Sequence, residues 1–187
     1  MDIQEELFGI KKRTQRINSK RKGNVNELNL TKILAEWTGH EFARVPRSGG
    51  LRWRNRMDIC GDVINVDPAF DFPFSVETKH VANLGISLNH PDNLRTNSVV
   101  FKYFRQCQRD ADATNKIPIL MIRNNGMKAN TYYIFLSLNT PEYVKLYLYV
   151  RPVLHGMHID DKYALVGFRS EEFFGLIRYE EFKTIMK

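Results

Sequence analysis

Cysteine and long apolar runs are scarce in this chain. Its 187 residues include two cysteines and no Cys-x-x-Cys pair, which argues against a disulfide framework and a cysteine zinc site. No apolar run is long enough to span a bilayer, and residues 1–13 lack the order of a secretory signal. A Gly-x4-Gly-Lys-Ser/Thr phosphate loop is also missing. We therefore expect a protein of the cytoplasm, a reducing compartment, with no membrane partner.

The composition favours one folded domain with locally concentrated positive charge. Hydrophobic residues make up 43% of the chain and aromatic residues 12%, enough for a sizeable core. The net charge is +7, and residues 11–22 carry seven Lys/Arg without an acid, while residues 42–56 carry five Arg without an acid. Such clusters are typical of a surface that contacts phosphates, although a solvated tail would also explain the first. We predict a basic arm over residues 1–22 and a single domain over residues 23–187.

Hydrophobic periodicity predicts the elements of that domain. Helices are predicted at 24–38 and 98–115, the first because Leu30, Ile33, Leu34 and Trp37 follow the i, i+3, i+4, i+7 spacing. Strands are predicted at 40–45, 62–66, 74–80, 117–123, 131–138 and 143–150, and a strand remnant followed by a short amphipathic helix at 168–187. This order predicts the α/β (α+β) class, with a mixed central sheet flanked by helices.

Charged residues interrupt two of the predicted strands. Asp62 opens the apolar run of one strand, and Glu77 and Lys79 alternate in the next, so that both face the same side. A hairpin would place all three side by side where a strand normally buries apolar groups. Because an unpaired buried charge is costly, such a trio indicates either a metal site or a buried ion pair.

The pattern acid-x-Lys has little weight by itself, because it occurs three times. The other two copies are Asp160/Lys162 and Glu181/Lys183. The second of these falls in the predicted terminal helix, where a solvated face is the better explanation, and the first has no acidic partner in a preceding apolar run. Only Glu77/Lys79 follows a strand that begins with an acid. His155 and His158 lie in a predicted loop without further ligands, which argues against a histidine metal site there.

Phosphodiester hydrolysis explains why these residue types would gather. Mg²⁺, or Mn²⁺ in its place, prefers carboxylate oxygens, which Asp62 and Glu77 would supply. Such an ion activates water and offsets charge on the leaving oxygen, while Lys79 would stabilise developing negative charge. Glu27 lies on the apolar face of the first helix and could reach the metal or its waters. A first-turn Glu that favours the helix dipole is the alternative.

These segments together resemble the PD-(D/E)XK nuclease superfamily, and most of all phage and archaeal Holliday-junction resolvases and related phage endonucleases. The resemblance covers roughly residues 20–125, and the segments that carry it are GNVNELNLTKILAEWTG, RVPRSGG, GDVINV, FSVETKH, FRQCQRDA and KIPILMIRNN. It implies a restriction-endonuclease-like fold and a metal-dependent DNA endonuclease that acts on branched DNA, often as a homodimer. A phage-encoded enzyme of this kind would act in the host cytoplasm. The matched core would then be about 23–125, and about 126–187 an extension.

The resemblance also assigns residues. Glu27, Asp62, Glu77 and Lys79 match the active site, although Asp58 competes with Asp62 for the same role and no proline precedes the Asp. Ser48 and Gly49 match a turn that approaches the DNA backbone, and Gln106 matches a helix glutamine. The basic residues expected at the DNA are Lys12, Arg13, Arg16, Lys20, Arg21, Lys22, Arg44, Arg47, Arg52 and Arg54. The alternatives are a nuclease of the same fold with another DNA target and a non-catalytic nucleic-acid-binding protein.

Overall fold

The computed structural model describes residues 19–45, 61–84, 99–158 and 163–187, and the side chains of residues 19–20 and 155–158 are outside that description. The elements are α1 (Ser19–Thr38), β1 (Phe42–Arg44), β2 (Val63–Asn65), β3 (Phe74–Val81), α2 (Val99–Asp112), β4 (Ile117–Asn124), β5 (Tyr133–Leu138), α3 (Thr140–Tyr147), β6 (Leu154–His158), β7 (Ala164–Arg169), α4 (Ser170–Leu176) and α5 (Tyr179–Met186).

The strands form one mixed sheet and one small antiparallel pair. The five-stranded sheet has the order β3-β4-β5-β7-β6, in which β3 and β4 are parallel and the other neighbours are antiparallel. β1 and β2 pair separately. The predicted α/β (α+β) class, a mixed sheet flanked by helices, is confirmed.

Helix α1 runs antiparallel to β3 across one face of the sheet. Near its start, Asn26 hydrogen-bonds Thr78 late in β3. Near its end, Trp37 contacts the rings of Tyr179 and Phe182, which also contact Phe74 at the start of β3. The helix ends where Gly39 adopts a φ of +76° and donates to the carbonyl of Ala35 at 2.9 Å, the left-handed stop that glycine permits.

Helix α2 covers the opposite face of the sheet and connects the two parallel strands. One stripe of this helix is buried and consists of Val100, Phe104, Cys107 and Ala111. Leu120 and Ile122 of β4 belong to the same core. Because Glu77 and Lys79 are the register partners of Leu120 and Ile122, their side chains lie on the α2 face of the sheet.

The C-terminal region is part of this core. β5, β7 and β6 extend the sheet, and the rings of Phe173, Tyr179 and Phe182 pack with Trp37 of α1. The Nε1 of Trp37 also donates to the carbonyl of Ile177 at 2.9 Å. The described residues of the segment 126–187 therefore share the hydrophobic core of the region that carries the motifs.

Three expectations about elements are wrong. Residues 143–150, predicted as a strand, lie mainly in α3, and residues 155–158, predicted as a loop, lie in β6. The strand that begins after Asp62 pairs with β1, so it does not form a hairpin ladder with β3.

Among the described residues, no helix has the length and apolar character to cross a membrane.

Candidate active site

Asp62 lies against the outer edge of β3. Its backbone N–H donates to the carbonyl of Val76 at 2.9 Å, and its Oδ2 accepts from the N–H of Thr78 at 2.8 Å. The close approach depends on Gly61, which has a φ of +77° and where a Cβ would lie 2.5 Å from the Val76 oxygen. Asp62 thus forms two hydrogen bonds with the edge of β3, in the place where a neighbouring strand would otherwise form them.

Glu77 and Lys79 form an ion pair beside Asp62. The Lys79 Nζ donates to Glu77 Oε1, and Glu77 is buried while Lys79 is partly exposed. The ammonium also lies 5.7 Å from the centroid of the Tyr103 ring on α2, within cation–π range. Lys79 is therefore held between a carboxylate and an aromatic face, with part of its surface open to a ligand.

The proximity of the carboxylates shifts the proton affinity of Asp62. Burial and then the negative charge of Glu77 raise the pKa of Asp62 to about 7, against the opposing N–H of Thr78 and the charge of Lys79. Burial lowers the pKa of Lys79, but its hydrogen bond to Glu77 and the charges of Glu77 and Asp62 outweigh that effect and raise it. The site thus concentrates negative charge that a cation would relieve.

Glu27 reaches the same region from α1, paired with Arg44 of β1. Arg44 donates from Nε to Glu27 Oε2 at 2.7 Å, and its Nη2 bonds the Asn24 Oδ1 at 3.0 Å. Glu27 is 8% exposed, and its charge contributes to the raised pKa of Asp62. The inward direction expected for Glu27 is confirmed. Arg44, expected at the DNA, is engaged by this carboxylate.

Sequence reasoning missed the groups that hold α1 against the site. The Nδ2 of Asn26, which is 2% exposed, donates to the Thr78 Oγ1 at 2.5 Å. The hydroxyl of Tyr132 donates to the Asn26 carbonyl oxygen at 3.3 Å, and burial raises the pKa of Tyr132 to about 12. The signal was present, because Asn26 precedes Leu30 and Leu34 at four-residue spacing, which places a polar side chain on the buried face.

The remaining predicted residues fall into two groups. Gln106 and Lys22 are half-buried and Arg21 is exposed, and Gln106 lies three residues after Tyr103 on α2. The others lie outside the described residues, either entirely or by their side chain: Lys12, Arg13, Arg16, Lys20, Arg47, Ser48, Gly49, Arg52, Arg54 and Asp58. The choice between Asp58 and Asp62 therefore stays a prediction, although Asp62 does lie beside Glu77.

The rejected acid-x-Lys copies behave as surface groups where they can be seen. In α5, Glu181 pairs with Arg178 at 2.6 Å, and Lys183 pairs with Glu180 at 3.4 Å. Asp160 and Lys162 lie outside the described residues. Of the copies that the structure describes, Glu77/Lys79, which the neighbouring sequence favoured, is the one that lies beside other charged groups of the site.

The carboxylates of the site suit a hard divalent cation that takes only one or two of its ligands from the protein. Within the described ranges, no group of three or more His, Cys, Asp or Glu side chains is placed to hold a metal ion. Asp62 and Glu77 nevertheless offer two adjacent carboxylates. Mg²⁺ is commonly held by one or two carboxylates, with water and substrate phosphate completing its octahedron. The residues present are thus compatible with Mg²⁺ or Mn²⁺.

Comparison with known proteins agrees with this geometry. No significant match was found among curated proteins or among solved structures. A family model described as "Phage putative PDDEXK endonuclease" matches residues 18–164. The match spans α1, the Asp62 edge and the Glu77–Lys79 pair, and it extends past the matched core expected from the motifs. It also agrees with the confirmed sheet architecture. The chain therefore belongs to the phage PDDEXK endonuclease family, within the PD-(D/E)XK nuclease superfamily.

Proposed function

We propose that this protein is a Mg²⁺-dependent endonuclease that hydrolyses DNA phosphodiester bonds at the outer edge of β3. The observation that carries the proposal is the meeting of Asp62, Glu77 and Lys79 at that edge. Membership of an endonuclease family supports the reaction class. Asp62 and Glu77 are the proposed metal ligands, and Mn²⁺ would suit the same oxygens.

The charges of the site suggest a separate role for the metal ion, for Lys79 and for Asp62. A bound divalent ion would polarise the phosphate and lower the pKa of water. Lys79 has a raised pKa and is held by Glu77 and Tyr103, so it stays protonated at neutral pH. A fixed ammonium of this kind stabilises negative charge that develops on the phosphate oxygens. Asp62 must lose its proton before it can act as a ligand.

Glu27 has a proposed role on the α1 side of the site. Its carboxylate is buried and close enough to raise the pKa of Asp62, so it would add to the attraction for a cation or orient water. Its ion pair with Arg44 holds the carboxylate of Glu27 in this position. When phosphate enters, Arg44 could exchange this carboxylate for a phosphate oxygen, since both accept from a guanidinium fork.

Branched DNA of the four-way-junction type is the proposed substrate, cut by a homodimer in the cytoplasm. Support comes from the resemblance of the motif order to Holliday-junction resolvases. The excess of positive charge in residues 11–22 and 42–56 suits a ligand rich in phosphates.

A cleavage assay tests the reaction and the substrate together. Purified protein would be incubated with Mg²⁺ and labelled four-way junction, duplex or single-stranded DNA. We expect the parent to cut the junction preferentially. Glu77→Gln and Lys79→Ala should retain DNA binding and lose cleavage by at least about 100-fold, as expected when an electrostatic contributor is removed.

Lys183→Ala supplies the matched control, since it alters the same acid-x-Lys pattern on the outer side of α5 and should cut like the parent. DNA binding by the parent without metal-dependent cleavage would contradict the enzyme proposal. Equal cutting of duplex and junction would contradict only the branched substrate. Unfolding of Glu77→Gln would favour a structural ion pair.

A further inference from the structure

A second cluster of basic side chains lies beyond the candidate site, at the carboxyl ends of β3 and β4. It consists of Lys22 on α1, His80 on β3 and Arg123 on β4, and we call it the strand-end cluster. His80 and Arg123 are register partners in the parallel pair. Lys22 precedes Asn26 by about one turn of α1, so the two lie on the same face of the helix. His80 follows Thr78 by two residues, so the two lie on the same face of β3. The antiparallel packing of α1 on β3 therefore brings the three side chains to one face.

The electrostatics of His80 agree with this placement. Burial and then the positive charges of Arg123 and Lys22 lower the pKa of His80, against a hydrogen bond with Asn125. In the described part of the chain, no ion pair links a carboxylate to any of the three. His80 is therefore neutral at pH 7, and the positive charges of Lys22 and Arg123 on either side of it would be offset by a bound anion.

Arg123 is held in place with unused hydrogen-bonding capacity. Its Nη2 donates to the carbonyl of Met127 at 3.2 Å, while its Nε is buried without a hydrogen-bond partner among the described residues. The charge of Arg123 also acts on the buried hydroxyl of Tyr132. A guanidinium carries five N–H donors, so this side chain is fixed by the turn after β4 and still has donors for an acceptor such as phosphate.

From this arrangement we infer that the strand-end cluster is a phosphate subsite, which binds a backbone phosphate of the DNA strand near the phosphodiester that is cut. The inference rests on the proposed function and adds His80 and Arg123 to the DNA-contacting residues. The amide dipoles at the start of α1 add positive potential beside Lys22.

The position of the cluster suits a neighbouring phosphate of the same substrate. His80 follows Glu77 by three residues, which is about 10 Å along a strand, and its side chain lies on the α1 face whereas that of Glu77 lies on the α2 face. One DNA strand places a phosphate every 3.4 Å of helix axis, so a phosphate at least about three axial steps from the cut could reach the cluster around the outer edge of β3. A clamp at that distance would fix the direction of the strand across Asp62, Glu77 and Lys79, and would thereby position the phosphodiester without contacting it.

DNA binding without cleavage tests the inference. Affinity for a short labelled substrate would be measured in EDTA over a range of salt concentrations, for the parent, Arg123→Gln and Lys22→Gln. Each variant should bind about tenfold more weakly, and the slope of log K against log salt should fall by about 0.9 for each lost phosphate contact. Arg178→Gln is the matched control, since Arg178 is exposed next to Tyr179 near the opposite end of β3 and removes the same charge.

A second arm locates the phosphate. Single neutral methylphosphonate linkages would be placed in turn along the substrate strand. One linkage near the cut should weaken binding by the parent and have no further effect on Arg123→Gln. Slopes and linkage effects equal to those of Arg178→Gln would overturn the inference. If Arg123→Gln fails to fold, Lys22→Gln decides, because its side chain is half-buried on a helix surface.

Failure of the inference and failure of the proposed function are separable. A parent protein that cuts DNA while its variants keep the parental salt slope would contradict the subsite alone. A parent that never cuts, while Arg123→Gln still flattens the slope, would contradict the nuclease proposal and support a phosphate contact.

Discussion

The carboxylate of Asp62 accepts a 2.8 Å hydrogen bond from the backbone N–H of Thr78, where a neighbouring strand would otherwise supply a carbonyl oxygen. One side chain thus occupies part of the edge of β3 beside Glu77. An edge strand needs such protection, because its open N–H groups can pair with another chain. The proposed metal ligand and the edge of the sheet are therefore parts of the same structural feature, and changes to either should affect both.

The raised pKa of Asp62 predicts that metal-free protein loses stability as pH rises. Unfolded Asp62 loses its proton near pH 3.8 and folded Asp62 near 7, so the folded state binds more protons between these values. The stabilisation is complete below pH 3.8 and is lost as pH rises through about 7. Thermal unfolding of metal-free protein from pH 4 to 8 measures it, and Asp62→Asn should flatten the profile.

Mg²⁺ should reverse this trend, because the ion binds the deprotonated carboxylates. Its effect on the melting temperature should be larger at pH 8 than at pH 6 and should be lost in Asp62→Asn. An equal Mg²⁺ effect at both pH values would contradict the assignment of Asp62 as a ligand.

Gly61→Ala should disrupt the approach of Asp62 to β3. A Cβ at this position lies 2.5 Å from the backbone oxygen of Val76, and φ is +77°. We expect a loss of about 2–3 kcal/mol in the free energy of unfolding together with weaker metal binding. Denaturant unfolding and a metal titration measure the two effects.

Gly39→Ala is the control for that change. Gly39 has a φ of +76°, but nothing lies within 4 Å of a Cβ there. It should therefore cost about 1 kcal/mol from backbone strain alone and leave metal binding intact. If both substitutions cost the same, close contact with Val76 does not decide the role of Gly61.

The hydrogen bond between Asn26 and Thr78 should couple α1 to the site. Asn26→Ala and Thr78→Val each remove one partner of a buried bond, and each should cost about 1–3 kcal/mol. The double variant should cost less than the sum, because the interaction is lost only once. Chemical denaturation of all four proteins gives the coupling energy, and strict additivity would contradict a direct interaction.

Trp37→Phe should weaken the whole domain in one transition. It removes the 2.9 Å bond from Nε1 to the Ile177 carbonyl while retaining an aromatic ring, and should cost about 1–2 kcal/mol. Because α4 and α5 share the core of α1, far-UV circular dichroism and Tyr/Trp fluorescence should report the same midpoint. Separate midpoints would mean that residues 126–187 fold as an independent unit.

The sequence predicted most helices and strands because the buried residues of each recur at the regular spacing of that element. The stripes of α1 and α2 each face one side of a helix, and the spacing in the chain carries that information. The strand predicted at residues 143–150 was wrong because the segment is rich in Tyr and Val, which favour strands, although α3 spans most of it. The capping box, in which Asn139 and Glu142 exchange hydrogen bonds, was a local signal that could have indicated the helix.

The sequence by itself determined which charged residues stand among apolar ones, because an acid or a lysine inside an apolar run is visible without coordinates. It selected Glu77 and Lys79 over two other copies of the pattern and placed Glu27 on an inward helix face. Tertiary structure alone decided that Asp62 meets Glu77 through the edge of β3, since that contact depends on Gly61 and on backbone hydrogen bonds. It also decided the strand-end cluster of Lys22, His80 and Arg123, which are distant along the chain. Such proximity arises from strand register and helix direction, which no short motif encodes.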